Sequence, residues 1–138
     1  MLNKYHVVLA VAAFIFNKKN ELLLVKKSKN EKVDPGLWVV PGGKIEPNEP
    51  IITGLKREIK EEVNIKIDSY KWIGEDVFES NGFYFHAQHF LCRILHSNIT
   101  LEKNLVGFHW LKKEEINNFN FPIKIRKRIK EIFENKYE

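Results

Sequence analysis

Apolar residues follow two rhythms along this chain. From His6 to Phe16 the run HVVLAVAAFIF is almost unbroken, and ELLLVKK at 21–27 repeats it after the polar NKKN; this predicts two buried strands paired as a hairpin. SKNEKVDPG at 28–36 reads as a loop, and LWVV at 37–40 as a short strand that breaks at Pro41-Gly42-Gly43. The period then changes. Ile52, Leu55, Ile59 and Val63 recur at spacings of three and four, which predicts a helix over 50–63, with Asn48 as its cap and Glu49 and Pro50 in its first turn. β-Branched and aromatic residues return in IKIDSYKWIGEDVF and FYFHAQHFLCRIL, two longer strands joined near ESNG, and again in LVGFHWL at 105–111. KKEEINNF reads as a short helix or turn. A closing helix begins at Pro122, with Ile125, Ile129, Ile132 and Phe133 as its apolar stripe. The sum is a mixed sheet with helices packed on it, an α/β (α+β) fold in one domain over residues 1–138.

Composition narrows the class. With 43% hydrophobic and 30% charged residues the chain has enough apolar side chains for a core and enough charge for solubility. The first apolar run is shorter than the ~20 residues needed to span a bilayer, so it is read as a buried strand and no membrane association is expected. Cys92 is the single cysteine, which excludes an internal disulfide, fits a reducing cytoplasm and is best placed in the core. The net charge of +5 is modest and fits an anionic ligand, a nucleic acid or solubility alone. Its most basic stretch, KIRKRIK, is assigned to the solvent side of the last helix, so a nucleic-acid partner is not expected.

Against this basic background, Glu58, Glu61 and Glu62 crowd one flank of the predicted helix, beside its apolar stripe. Arg57 offers one partner, but one guanidinium does not neutralise three carboxylates. Two accounts stand: a solvated acidic face, or oxygen ligands for a hard divalent cation. Gly42 and Gly43 upstream favour the second, because glycine lets the backbone approach a phosphate or present a carbonyl.

Gly43, Glu49 and the segment REIKEEVNI resemble, in spacing and in all but one residue type, the Nudix box, Gly-x5-Glu-x7-Arg-Glu-U-x-Glu-Glu-x-Gly-U with U aliphatic. Glu49, Arg57, Glu58, Glu61 and Glu62 fill every charged position, and Ile59 and Ile65 fill aliphatic ones. The preceding GLWVVPGGKIE resembles the strand and turn of MutT-type members. One position departs: Asn64 stands where the pattern has glycine, and Asn is the non-glycine residue that best tolerates a left-handed helix end. Gly54, in mid-helix, suggests close packing.

The resemblance implies a Nudix-like α/β/α sandwich and Mg²⁺-dependent hydrolysis, with Mn²⁺ as an alternative ion, of a diphosphate linkage in a nucleotide. By the same resemblance Glu58, Glu61 and Glu62 are metal ligands, the Gly42 carbonyl is a further one, and Arg57 and Glu49 hold the carboxylates in place. Glu102, in TLEKNLVGFHW, is a candidate general base beside the box glutamates. Lys44 is a candidate phosphate contact. Trp38, Phe78 and Tyr84 are candidate base-stacking residues, and Asn120, ahead of Pro122, falls where MutT carries a base-reading Asn. His86 and His89 read as structural. Nucleoside triphosphates, including oxidised ones such as 8-oxo-dGTP, are the first expected substrates, cleaved to monophosphate and pyrophosphate by a cytoplasmic monomer or homodimer. Dinucleoside polyphosphates, ADP-ribose, nucleotide sugars and RNA 5′ ends are the alternatives, and a ligand-sensing domain without turnover is a third class.

Overall fold

The first strand, β1 (Val7–Phe16), alternates which side of the sheet it serves. Val11, Ala13 and Ile15 enter one core cluster, while Phe14 and Phe16 enter another on the opposite face. β2 (Leu22–Lys27) repeats this, with Leu23 and Val25 on the first side and Leu22 and Leu24 on the second. Such unbroken apolar runs are what a strand buried on both faces requires. The computed structural model describes residues 6–96 and 98–137.

The remaining elements are β3 (Trp38–Val39), β4 (Gly42–Lys44), α1 (Ile51–Val63), β5 (Ser69–Ser80), β6 (Phe83–Arg93), β7 (Leu105–Leu111), a 3-10 turn over Lys113–Asn118, and α2 (Ile123–Phe133). The sheet runs β3-β2-β1-β6-β5, with β4 also on β1 and β7 also on β2. β1 and β6 are parallel from Val7 opposite Tyr84 to Phe16 opposite Arg93, and the other pairs are antiparallel. Leu55, Ile59 and Val63 of α1 cover one face, and Ile129 and Ile132 of α2 the other. The result is the expected α/β/α sandwich about a mixed sheet.

Three expectations need correction. The hairpin of β1 and β2 is only a corner: the two strands pair at Phe16 and Leu22 and then splay apart. The wedge between them is filled by residues 38–44, which pair first with β2 at Trp38 and Val39 and then with β1 at Gly42, Gly43 and Lys44. So the strand that was expected to end at Pro41 changes partner there instead. Second, α1 starts at Ile51 with Pro50 at its N-cap and no side-chain cap, while Asn48 sits in a left-handed turn at φ 63°. The fixed φ of Pro50 begins the helix, which leaves Glu49 outside it with its side chain available for other work. Third, the basic stretch of α2 is not all on the solvent side. Arg126 donates to the carbonyls of Ile116 and Phe119, and Arg128 reaches under the sheet edge to His89.

Two details match expectation closely. Asn64 ends α1 at φ 56°, ψ 43°, with its N–H donated to the Lys60 carbonyl. Cys92 is fully buried, and burial pushes its thiol up to about 12, so it is an inert core group. Among the described residues, no helix is long and apolar enough to cross a membrane.

Candidate active site

Glycines set the floor of the site. A Cβ on Gly42 would lie 2.2 Å from the Val11 carbonyl oxygen, so only glycine lets β4 lie this close to β1. A Cβ on Gly43 would lie 2.4 Å from Glu58 Oε2. The glycine pair therefore brings the backbone against the carboxylates of α1, a close-packing role that adds to the one expected from phosphate chemistry.

Arg57 organises the acidic flank. Its Nε and Nη2 donate to Glu49 Oε2 and Oε1 at 2.7 and 2.8 Å, a bidentate pairing. Nη1 donates to Glu58 Oε1 at 3.0 Å and to Glu61 at 3.2 Å, and Nη2 also reaches the Lys44 carbonyl at 3.1 Å. The guanidinium thus fastens the turn at 44–49 to the helix. Hydrogen bonding to Arg57, then to the Glu46 N–H, holds the Glu49 carboxyl down at about 2.

Glu62 stands apart from this clamp. Its Oε1 accepts from the Gly42 N–H at 2.7 Å, and burial, with the charges of Glu58 and Glu102 nearby, pushes its carboxyl up to about 8. Glu58 is raised too, by burial first, against the pull of Arg57. Glu102 belongs to the same group, since its charge is felt at both residues and its N–H donates to the Glu62 carbonyl at 2.9 Å.

Oxygen donors short of positive charge are what a hard divalent cation fits. Glu58, Glu61 and Glu62 would hold it. Among the described residues no three acidic, His or Cys side chains converge as they stand on one ion position, since Glu58 leans on Arg57 and Glu62 on Gly42. The donor set fits the ion, and loading it requires these side chains to exchange those hydrogen bonds.

Glu62 opens onto a cleft of about 610 Å³ that runs along β1 and across β6 and β5 to the start of α2. Lys27, Gly42, Gly43 and Lys44 line its near end, and Asp76, Phe78, Phe85 and His89 the far one. Ala10, Ala12 and Ala87 form a low floor between them, and the Phe78 and Phe85 rings are parallel with centroids 5.0 Å apart.

Of the residues expected to bind substrate, Lys44 and Phe78 line this cleft and three others do not. The Trp38 ring packs edge-on against Phe119, the Trp38 backbone N–H donates to the Asn120 carbonyl, and neither Trp38 nor Asn120 reaches the cleft. Tyr84 lies on the opposite sheet face from its neighbour Phe85. Asp76, Phe85, Lys124 and Arg128 were not singled out from the sequence. The one signal for them was Gly74, a glycine inside a strand pattern, which marks a bulge.

The NUDIX domain model matches residues 6–135, and the chain belongs to the Nudix family of hydrolases. It is 28% identical over 118 residues to a nucleoside triphosphatase NudI of Escherichia fergusonii, covering 78% of this chain and 84% of that one. It is 31% identical over 110 residues to an 8-oxo-dGTP diphosphatase of Buchnera aphidicola, covering 78% and 80%. Among solved structures, a MutT protein from Methanosarcina mazei superposes with a TM-score of 0.86 at 25% identity, covering 99% of this chain and all of that one.

Proposed function

We propose that this protein is a divalent-cation-dependent pyrophosphohydrolase of nucleoside triphosphates, releasing a nucleoside monophosphate and pyrophosphate. The observation that carries the reading is the continuity of the cleft. One end holds Glu62, the glycine turn and two lysines, and the other holds parallel aromatic rings and polar groups. That is the division of labour a nucleotide needs, and the volume suits a ligand of its size. The names of the relatives from Escherichia and Buchnera agree with it.

When bound, Mg²⁺ or Mn²⁺ neutralises phosphate charge and lowers the pKa of a coordinated water. The chain's own residues do the rest. Lys27 and Lys44 draw the polyphosphate to the near end, and Arg57 with Glu49 fixes α1 against the glycine turn. Glu58, Glu61 and Glu62 would hold the ion, and Glu102, or one of the box glutamates, would take the proton from the attacking water. The reading includes a single cytoplasmic domain acting alone or as a homodimer.

A panel of nucleoside triphosphates, dinucleoside polyphosphates, ADP-ribose and triphosphorylated RNA, each with Mg²⁺, tests the proposal. Monophosphate and pyrophosphate should accumulate from the triphosphates in equal amounts. Cleavage of only the other substrates would overturn it.

A further inference from the structure

The far end of the cleft carries a row of polar groups that phosphate hydrolysis does not use. His89 is 2% exposed, and Arg128 Nε donates to its Nδ1 at 3.0 Å. An imidazole that accepts at Nδ1 and is neutral carries its proton on Nε2. Burial, then the positive charge of Arg128, lowers the ring's pKa to about 4, which keeps it neutral. Nε2 has no protein partner among the described residues. Among these residues, too, no fully buried side-chain nitrogen or oxygen goes unpaired, so Nε2–H faces the cleft that His89 lines.

Asp76 follows along the same face of the sheet, opposite Ala87 and one step from His89. Its Oδ1 accepts from Lys124 Nζ at 2.9 Å, and its side chain is 17% exposed. Lys124 also donates to the Val77 carbonyl at 3.0 Å, which leaves one of its three ammonium hydrogens uncommitted by these bonds. All three residues line the cleft. Taken in the order His89, Asp76 and Lys124, they offer a donor, an acceptor and a donor.

The order depends on Arg128. β5 shifts register between Trp72 and Gly74, and Gly74 sits at φ 139°. A Cβ there would lie 2.8 Å from Arg128 Nη2. The bulge thus makes room for the guanidinium, which also donates to the carbonyls of Ile73 and Glu75.

We propose that Lys124, Asp76 and His89 read the base of the bound nucleotide, and that the base is one with an imide edge, carbonyl, N–H, carbonyl, as in uracil and thymine. The inference rests on the nucleotide hydrolase reading above. An imide presents acceptor, donor, acceptor, the complement of the row. Cytosine turns a ring-nitrogen lone pair toward the Asp76 carboxylate and an amino group toward a donor, two mismatches in one ring of the same size. Arg128 is a positioning residue that fixes the His89 tautomer.

The test is a matched pair of ligands. Metal-free binding of UMP and CMP is measured by calorimetry, and kcat/KM for UTP and CTP with Mg²⁺. Wild type should favour the uracil nucleotide by about 10-fold or more in both. Asp76→Asn should bring the ratio near one or reverse it. Lys124→Met should narrow it as well, and this side chain is 56% exposed, so that variant guards against a folding failure. A dTMP arm tells uracil from thymine. ¹⁵N spectra of the His89 ring should show the Nε2–H form in wild type and a mixture in Arg128→Met, a change that loss of packing alone does not give. Equal binding of UMP and CMP by wild type overturns the inference, as does an unchanged ratio in Asp76→Asn. Hydrolysis without base preference overturns only this inference, whereas a UMP preference without hydrolysis of any nucleotide overturns only the reading beneath it.

Discussion

Arg57 grips Glu49 through two parallel hydrogen bonds, although Glu49 lies outside the helix that carries Arg57. The pair is a strut between the turn after β4 and the carboxylate-bearing face of α1. Lysine cannot make both bonds. Arg57→Lys should lower kcat by about 10- to 100-fold while leaving the fold intact, as supports of metal ligands usually do. Steady-state kinetics beside circular dichroism checks this, and wild-type kcat in the variant would remove the strut from the mechanism.

Glu62 is the carboxylate most in need of a counter-charge. Without metal it is buried among the charges of Glu58 and Glu102. Glu62→Gln should therefore hold or raise the melting temperature of the metal-free protein. The same change should remove most of the rise that Mg²⁺ produces in wild type, a rise worth about 2.7 kcal/mol at a hundredfold excess over Kd. Thermal melts with and without Mg²⁺ separate the two effects. A Mg²⁺ response of wild-type size in Glu62→Gln would argue against its role as a ligand.

Gly54 is expensive in a helix interior by about 1 kcal/mol relative to Ala. A Cβ there would lie 2.4 Å from Ile45 Cδ1 and 2.8 Å from Glu49 Oε1. Ile45 can turn aside, but Glu49 is held by Arg57. Gly54→Ala should leave stability within about 1 kcal/mol of wild type, since overlap offsets the helical gain. It should still lower kcat, because Glu49 has to move. Urea unfolding and kinetics on the same preparation make the comparison.

His89 makes stability depend on pH in a stated window. Its folded pKa is about 4 against 6.5 for the free group. The unfolded chain gains a proton below pH 6.5 that the folded chain refuses until about pH 4. The His89 contribution is therefore complete above pH 6.5, declines as pH falls, and is lost through pH 4, an effect of about 3 kcal/mol. Unfolding free energies of wild type and His89→Gln should converge as pH drops across this window. A constant gap would contradict the assignment.

The acidic flank was legible because it depends on spacing within one helix. Residues 57, 58, 61 and 62 share a flank whatever the rest of the chain does, and Asn64 could be placed at a left-handed helix end from its chemistry alone. Glu49 was legible as a member of the box but was placed on the wrong side of the helix start. Asn-x-Pro looks like a capping sequence, and only the turn geometry shows that Asn48 is not used. Apart from Phe78, the far end of the cleft was not legible. His89 and Asp76 meet through a bulged register between β5 and β6, and Lys124 and Arg128 arrive from α2, so no local pattern records the meeting. Trp38 was drawn toward substrate by its residue type, and Asn120 by its place just ahead of Pro122. The structure uses them to seal the junction of β3 with the loop before α2.

The splaying of β1 from β2 divides this enzyme into two inheritable parts. The groups proposed to carry the hydrolysis stand on β4 and α1, on one edge of β1, while those proposed to read the base stand on β5, β6 and α2, on the other. The two sets share a strand whose cleft-facing residues there, Ala10 and Ala12, are small and chemically silent. Mutations that redraw one wall therefore transmit little to the other. A lineage built this way can change the nucleotide it selects while its phosphate chemistry stays untouched.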